Sequence, residues 1–244
     1  MPKAISVRGQ MVIDDKSALL TSGDLVVTGR LVDASNATLF GAVTHGAESM
    51  NCIYKPIAGE RPLWDFPEGA LAHREYAAYV LSERLGFNLV PLTVLRDGPY
   101  GFGMVQEWID IDESIDLSQY FSSDDPALRS MAIFDAIINN TDRKIGHLLP
   151  STSGHLYGCD HGVTFHSQDK LRTVLWQWSG DALTDSEISM LKEVLQKLDG
   201  EIDLSPYLIQ EELLALSLRV QRLITTAVMP IPNPDWPAVP WPAF

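Results

Sequence analysis

The chain has 244 residues, a hydrophobic fraction of 45%, a charged fraction of 20% and a formal net charge of −14. That composition is expected of a soluble globular protein with room for one large domain or two lobes. With 18 Lys and Arg against 32 Asp and Glu, the basic stripe that a nucleic-acid or anionic-membrane surface needs is missing, so no nucleic-acid partner and no membrane are expected.

Cys52 and Cys159 each sit in an apolar run that reads as a buried strand. Two reduced core thiols are expected, which suits a cytoplasmic location. The chain contains no apolar run of the roughly 18 residues that a span requires, and no apolar segment follows Met1-Pro2-Lys3, so neither a membrane helix nor a secretory signal is expected.

In chain order, residues 1–20 carry weak signals: Ile5, Val7 and Met11 to Ile13 are apolar, but Asp14-Asp15-Lys16 interrupts them. Residues 24–32 and 37–43 then read as strands joined by a turn at Ser35-Asn36, and residues 50–55 as a third strand ending at Pro56. Residues 57–69, broken by Pro62 and Pro67, read as a loop. Residues 70–85 read as a helix stopped by Gly86, and residues 89–95 and 102–109 as two further strands around Asp97-Gly98-Pro99. This predicts a five-stranded sheet with one helix inserted after the third strand.

Beyond Trp108 an acidic connector (Asp110, Asp112, Glu113, Asp116) marks an expected boundary between lobes. Residues 126–140 read as a helix with Pro126 at its first position, and Leu128, Met131, Ala132, Asp135 and Ile138 recur at helical spacing. Thr184 and Glu187 form a capping box for a helix bearing Ile188, Leu191 and Val194, and Ser205-Pro206 is read as the start of another. The expected architecture is α+β: a β-rich nucleotide-binding lobe over 1–109, a helical catalytic lobe over 110–229, and a tail over 230–244. The tail carries six prolines together with Trp236, Trp241 and Phe244. It is either a strap packed on the body or an exposed recognition segment.

Chemistry-bearing residues concentrate in 139–162. Asn139-Asn140-Thr141-Asp142-Arg143-Lys144-Ile145-Gly146-His147 is followed by two short apolar runs around Pro150-Ser151-Thr152-Ser153-Gly154, then by Cys159-Asp160-His161-Gly162. Two strands joined by that turn would place Asp142 and Asp160 at one end of a hairpin. A sheet lobe, an acidic hinge and a helical lobe carrying paired aspartates is the arrangement that phosphoryl transfer needs. The minimal parts are a lysine for the α- and β-phosphates, a carboxylate for the metal and a carboxylate facing the acceptor hydroxyl. Lys55 is the candidate lysine, Glu75 its ion-pair partner, Asp142 the carboxylate that orients the hydroxyl, and Asp160 the metal ligand.

On these residues the chain resembles the phosphatidylinositol 3-/4-kinase-like branch of the protein-kinase-like fold, and within it a group of small, single-domain actinobacterial proteins. The resemblance spans roughly 25–180. Tyr54-Lys55-Pro56 is similar to the strand-three lysine, Arg74-Glu75 to the helix glutamate, and Gly103-Met104-Val105-Gln106-Glu107-Trp108 to the strand entering the adenine-contacting hinge, which would continue through Ile109. Asp142-Arg143-Lys144 resembles the catalytic loop and Asp160-His161-Gly162 the Asp-x-Gly metal motif.

The resemblance implies a two-lobed kinase-like fold that uses ATP with Mg²⁺ or Mn²⁺. It further implies that Ser35 and Asn36 lie in a serine-bearing phosphate loop, and that Lys144 is the transition-state cation. The metal is then shared by Asp160 with His147 or Asn140. His147 stands where the fold usually keeps an asparagine, and reads equally as a metal ligand or a hydrogen-bonded core histidine; an imidazole favours softer metals than Mg²⁺. His161 and His166 read as structural. Arg61-Pro62-Leu63-Trp64-Asp65-Phe66-Pro67 is either a lid or acceptor surface, or a packed loop. Lys170 and Arg172, in the place of an activation segment, are expected to meet an acidic or phosphorylated acceptor.

The expected function is an ATP-dependent phosphotransferase acting on a hydroxyl of a protein or small polar acceptor, as a monomer. The alternatives are a nucleotide-binding pseudokinase, a kinase fold that transfers AMP, and a metal-dependent hydrolase using Asp142, His147 and Asp160.

Overall fold

The computed structural model describes residues 13–31 and 36–244; Ile5, Val7, Met11 and most of the turn at Ser35 lie outside them. The described chain opens on α1 (Ile13–Ser22), followed by β1 (Asp24–Arg30), β2 (Leu39–His45) and β3 (Glu48–Pro56). A short 3-10 turn at Ile57–Gly59 precedes α2 (Leu71–Arg84), and β4 (Thr93–Gly98) and β5 (Gly101–Glu107) complete the first lobe. The second lobe contains α3 (Leu117–Tyr120), α4 (Pro126–Ile138), a 3-10 turn at Ile145–His147, the hairpin β6 (Leu148–Pro150) and β7 (Leu156–Gly158), α5 (Asp185–Leu198) and α6 (Gln210–Thr226). The fold is the expected one: an antiparallel sheet with a single helix inserted after its third strand, and a mainly helical second lobe.

The sheet order is β1-β2-β3-β5-β4, antiparallel throughout. Alternation along β3 divides its side chains between two faces. Lys55 opposes Met104, and on the same face Ile53 lies between Phe40 and Gln106. On the other face Val43, Cys52, Tyr54, Val94 and Val105 pack with Leu19 and Leu20 of α1. Helix α1 was not expected, because Asp14-Asp15-Lys16 breaks its apolar periodicity. Tertiary contact holds it instead: the Leu pair is buried, and Lys16 Nζ lies 2.5 Å from Glu107 Oε1 at the end of β5.

Other boundaries move for local reasons. Strand β4 begins at Thr93 rather than Leu89, because Pro91 has no N–H for the ladder and Leu89 and Val90 belong to the second lobe's core. Gly98 pairs with Gly101, leaving Pro99-Tyr100 as a two-residue turn. The Asp125 carboxylate accepts a bond from the Ala127 N–H at 2.8 Å and caps α4. Asn139, in the left-handed conformation at φ 53°, stops that helix before residue 140. Helix α6 starts at Gln210, not at Ser205-Pro206, because Asp203 Oδ1 accepts the Ser205 N–H at 2.9 Å and closes a turn there.

Helix α4 is apolar almost all round and runs through the core, where Leu128, Met131, Phe134, Ile137 and Ile138 are buried with Leu191 of α5 and Leu216 and Val220 of α6. The tail crosses this lobe as a strap. The Ala238 carbonyl accepts from the Thr173 N–H (3.1 Å) and from Trp176 Nε1 (2.9 Å), and the Ala243 carbonyl accepts from the Ile145 N–H (2.9 Å). Trp241 alone of the tail's two indoles stays open, at 92% exposure. Among the described residues no helix is long and apolar enough to cross a membrane.

Candidate active site between the lobes

Helix α2 begins without a capping side chain of its own. Glu60, from the preceding loop, supplies the cap by accepting the N–H groups of Leu71 (3.2 Å) and Ala72 (2.8 Å). This orients the buried dipeptide Arg74-Glu75. Glu75 Oε1 lies 2.5 Å from Lys55 Nζ, and Glu75 Oε2 accepts the His161 N–H at 2.8 Å. Lys55 Nζ also donates to Asp160 Oδ1 at 2.9 Å. One ammonium thus bridges β3, α2 and the segment after β7. Burial pulls the Lys55 ammonium down, but Asp160 and Glu75 outweigh it and hold it well above the ordinary lysine value. Burial pushes the Glu75 carboxyl up, and Lys55 opposes the push.

Asp160 adopts a left-handed backbone at φ 61°, a conformation that Asp tolerates better than most side chains. Lys55 holds its carboxyl far below the usual carboxylate range, with His147 adding to the effect. Its second oxygen is 3.5 Å from His147 Nε2. Burial lowers His147 to about 4, so at neutral pH its imidazole is uncharged. Ligand atoms of Asp142, His147 and Asp160 all lie within 4.8 Å of one another, a donor set that fits one divalent cation. The hairpin β6–β7 brings them together as the sequence suggested.

Asp142 follows directly on a rigid scaffold. The Asn140 side chain is fully buried; its Nδ2 donates to Asp135 Oδ1 at 2.9 Å, while its Oδ1 accepts the Asp142 N–H at 3.0 Å. Both ends of that amide are engaged, so Asn140 positions Asp142. Arg143 is equally committed. It pairs with Asp135 at 2.9 Å, donates to the Cys159 carbonyl at 3.0 Å and to His161 Nε2 at 2.7 Å. The Asp135–Arg143–His161 chain therefore ties α4 to both aspartate loops, and burial beside Arg143 keeps His161 neutral, as befits a structural residue. Burial pushes the Asp142 carboxyl up, opposed by Lys144, whose Nζ stands 3.4 Å from Asp142 Oδ2.

The expected nucleotide contacts are placed unevenly. Ser35 lies outside the described residues. Asn36 Oδ1 accepts the Arg61 N–H at 2.9 Å. At the end of β5 the Glu107 and Trp108 N–H groups bond to the Leu92 and Asn51 carbonyls, and the Trp108 ring meets Phe40 edge-on with centroids 5.0 Å apart. Ile109 follows, half-buried. Phe40 and Trp108 sit beyond Ile53 at the far end of the sheet from Lys55, whereas the Glu107 side chain turns to the opposite face and pairs with Lys16 of α1.

On the near side a cavity of about 330 Å³ opens past Lys55, Glu75, Asp142 and Asp160, with Arg61, Trp64, Phe66, Arg172 and Trp236 among its other walls. Lys170 was expected to face an acceptor. It is instead buried, 2.7 Å from Asp65, with its ammonium 4.7 Å from the Trp64 ring and 5.1 Å from the Trp236 ring. Sequence reasoning had no means of placing Trp236 here, since the prolines around it leave no periodicity to follow. The pairing of Arg74 with Glu212 was missed for the same kind of reason, as the two are 138 positions apart.

No protein-family model matches the chain. Its architecture is similar to a hydra Fam20 solved with sugar (TM-score 0.56, 14% identity, 92% of this chain and 91% of that one). It is also similar to the Golgi casein kinase (TM-score 0.54, 16% identity, 87% of this chain and 75% of that one). At such identities these likenesses show the fold, which is protein-kinase-like. A protein of Mycobacterium tuberculosis, Rv2133c, is 41% identical over 268 aligned positions that cover 95% of this chain and 96% of the relative. The chain belongs to the family of Rv2133c.

Proposed function

We propose that the chain is an ATP-dependent phosphotransferase using Mg²⁺ or Mn²⁺, of the phosphatidylinositol 3-/4-kinase-like kind, acting on a hydroxyl of a polar acceptor. The observation that carries this reading is the Lys55 ammonium, held between Glu75 and Asp160 at 2.5 and 2.9 Å and facing the lobe that carries Asp142. In phosphoryl transfer the protein mainly positions groups and neutralises charge. Lys55 takes the α- and β-phosphates, with Glu75 fixing its direction. Phe40, Ile53 and Trp108 border the adenine end, with Glu107 and Ile109 as the hinge and Asn36 near the phosphates.

Asp160 and His147, with Asp142 beside them, would hold the metal, which when bound offsets phosphate charge. Asp142 accepts the proton of the acceptor hydroxyl as its oxygen bonds to the γ-phosphorus and the bond to ADP breaks. Lys144, beside Asp142, balances the charge on the transferred group. We take the compartment to be the cytoplasm, in keeping with a chain whose two cysteines are both free thiols. We take the lobes to meet at the acidic connector after Ile109. A thermal-shift titration with ATP and each metal tests the reading. A rise in Tm that requires nucleotide and metal together is expected, and no response to either would overturn it.

A further inference from the structure

We propose that the cavity beyond Lys55 and Asp142 is an acceptor site for a small anionic hydroxy compound, bound through Arg61 and Arg172. This rests on the phosphotransferase reading above. The cavity of about 330 Å³ has Lys55, Asp142 and Asp160 in its wall but none of Glu107, Trp108 or Ile109. With Asn36 and Glu75 also in its wall, it takes in the phosphate-handling residues at one end and extends from them, past Arg61, Trp64, Arg172 and Trp236, away from the adenine end, where an acceptor must approach for in-line transfer.

Its size is at the lower end of small-molecule sites, about 300–1,000 Å³. An extended peptide has little to pair with, because the tail already occupies the neighbouring backbone: the Thr173 N–H bonds to the Ala238 carbonyl, and Trp176 Nε1 bonds to the same oxygen. The loop carrying Trp64 closes one side of the cavity and Trp236 another.

The charges around this end are not balanced internally. Lys170 is spent on Asp65 and Glu60 on capping α2. Arg61 makes no ion pair among the described residues, and Arg172 has no carboxylate partner among them; its Nε donates to the Thr141 carbonyl at 2.6 Å, which aims the guanidinium from the segment bearing Asp142. The buried indole N–H of Trp236 also has no acceptor. Two guanidinium groups and an unpaired indole donor, on a chain of net charge −14, make a site for phosphate or carboxylate oxygens, since guanidinium binds both in bidentate fashion. The hydroxyl of a compact ligand held there is then directed to Asp142.

Calorimetry on the full chain tests this, with the nucleotide site first saturated by a non-hydrolysable ATP analogue and Mg²⁺. Glycerol 3-phosphate, glycerate and glycerol are the probes; the first two separate a phosphate from a carboxylate. At least one anionic probe is expected to bind at least about tenfold more tightly than glycerol, and Arg61→Ala and Arg172→Ala are each expected to weaken it by about tenfold or more. Arg61 is exposed, so its variant remains informative if Arg172→Ala fails to fold. Equal binding of all three probes, no binding of any, or an anion preference unchanged in the variants would overturn the inference, as would faster transfer to casein than to either anionic probe. Failure of the ATP analogue itself to bind would instead strike the phosphotransferase reading, and this one with it.

Discussion

Arg74 of α2 is paired with Glu212 of α6 across the lobe boundary, and the two side chains are 1% and 6% exposed. Arg74 also donates to the Thr164 carbonyl at 2.6 Å and lies 4.9 Å from the Phe66 ring centroid. The residue that follows it, Glu75, holds Lys55. The helix that carries the ion-pair partner of Lys55 is thus fastened to the second lobe.

Breaking this pair on one side leaves a buried charge uncompensated. Glu212→Ala is expected to cost about 3–5 kcal/mol, a fall in Tm on the order of 10 °C for a chain of this size. Replacing both partners with apolar residues, Arg74→Met with Glu212→Leu, recovers part of the loss. Thermal unfolding of the single and double variants checks this, and an unchanged Tm in Glu212→Ala would contradict the clamp.

Lys55→Met removes the cation shared by Glu75 and Asp160. Truncating a hydrogen-bonded buried ion typically costs about 2–5 kcal/mol, so nucleotide affinity measured by calorimetry is expected to fall by a factor of about 30 or more. Affinity within a factor of about two of the unmodified chain would remove Lys55 from the phosphate site.

Much of the fold was legible because local chemistry agreed with it. Asp125-Pro126 and the Thr184/Glu187 capping box mark helix starts that the structure keeps, and the third strand ends at Lys55-Pro56 as its sequence suggests. Asp142, His147 and Asp160 were legible as a group because one short hairpin joins them. What was not legible depends on contacts between distant parts of the chain. Helix α1 is stabilised by burial of Leu19 and Leu20 against the sheet, not by its own pattern. Asn140 was read as an alternative to His147 beside Asp160, and only the Asp135 carboxylate beneath it shows that its amide also anchors the Asp142 loop. Lys170 looked open until Asp65, Trp64 and Trp236 enclosed it.

The Thr184/Glu187 capping box carries a pH dependence. Glu187 bonds to Arg129 at 2.6 Å and accepts the Thr184 N–H at 2.7 Å. The Arg129 bond holds its carboxyl below the ordinary value. A depressed carboxyl contributes stability above its unfolded pKa, about 4.3, and loses it as pH falls through the lower folded value. Glu187→Gln is therefore expected to lower Tm at neutral pH, with the gap from the unmodified chain closing in acid. A gap that widens as pH falls would contradict the assignment.

Trp236 joins the tail to the candidate site through its contacts with Lys170 and Arg172, 5.1 and 5.8 Å from its ring centroid. Such contacts are worth about 0.5–2 kcal/mol each. Trp236→Ala is expected to lower Tm by several degrees and to speed proteolysis of residues 230–244, followed by mass spectrometry. Trp241→Ala, at an exposed position, should do neither; equal effects would contradict the strap.

The most direct test of the central claim is turnover of γ-labelled ATP with Mg²⁺ or Mn²⁺ by the unmodified chain and by Asp142→Asn, with the polar acceptors above supplied. Asp142 in the catalytic role predicts metal-dependent transfer in the former and a loss of about 10² or more in the latter. Equal turnover in both, or no turnover with either metal while nucleotide still binds, would contradict it and leave a nucleotide-binding protein without phosphotransferase activity.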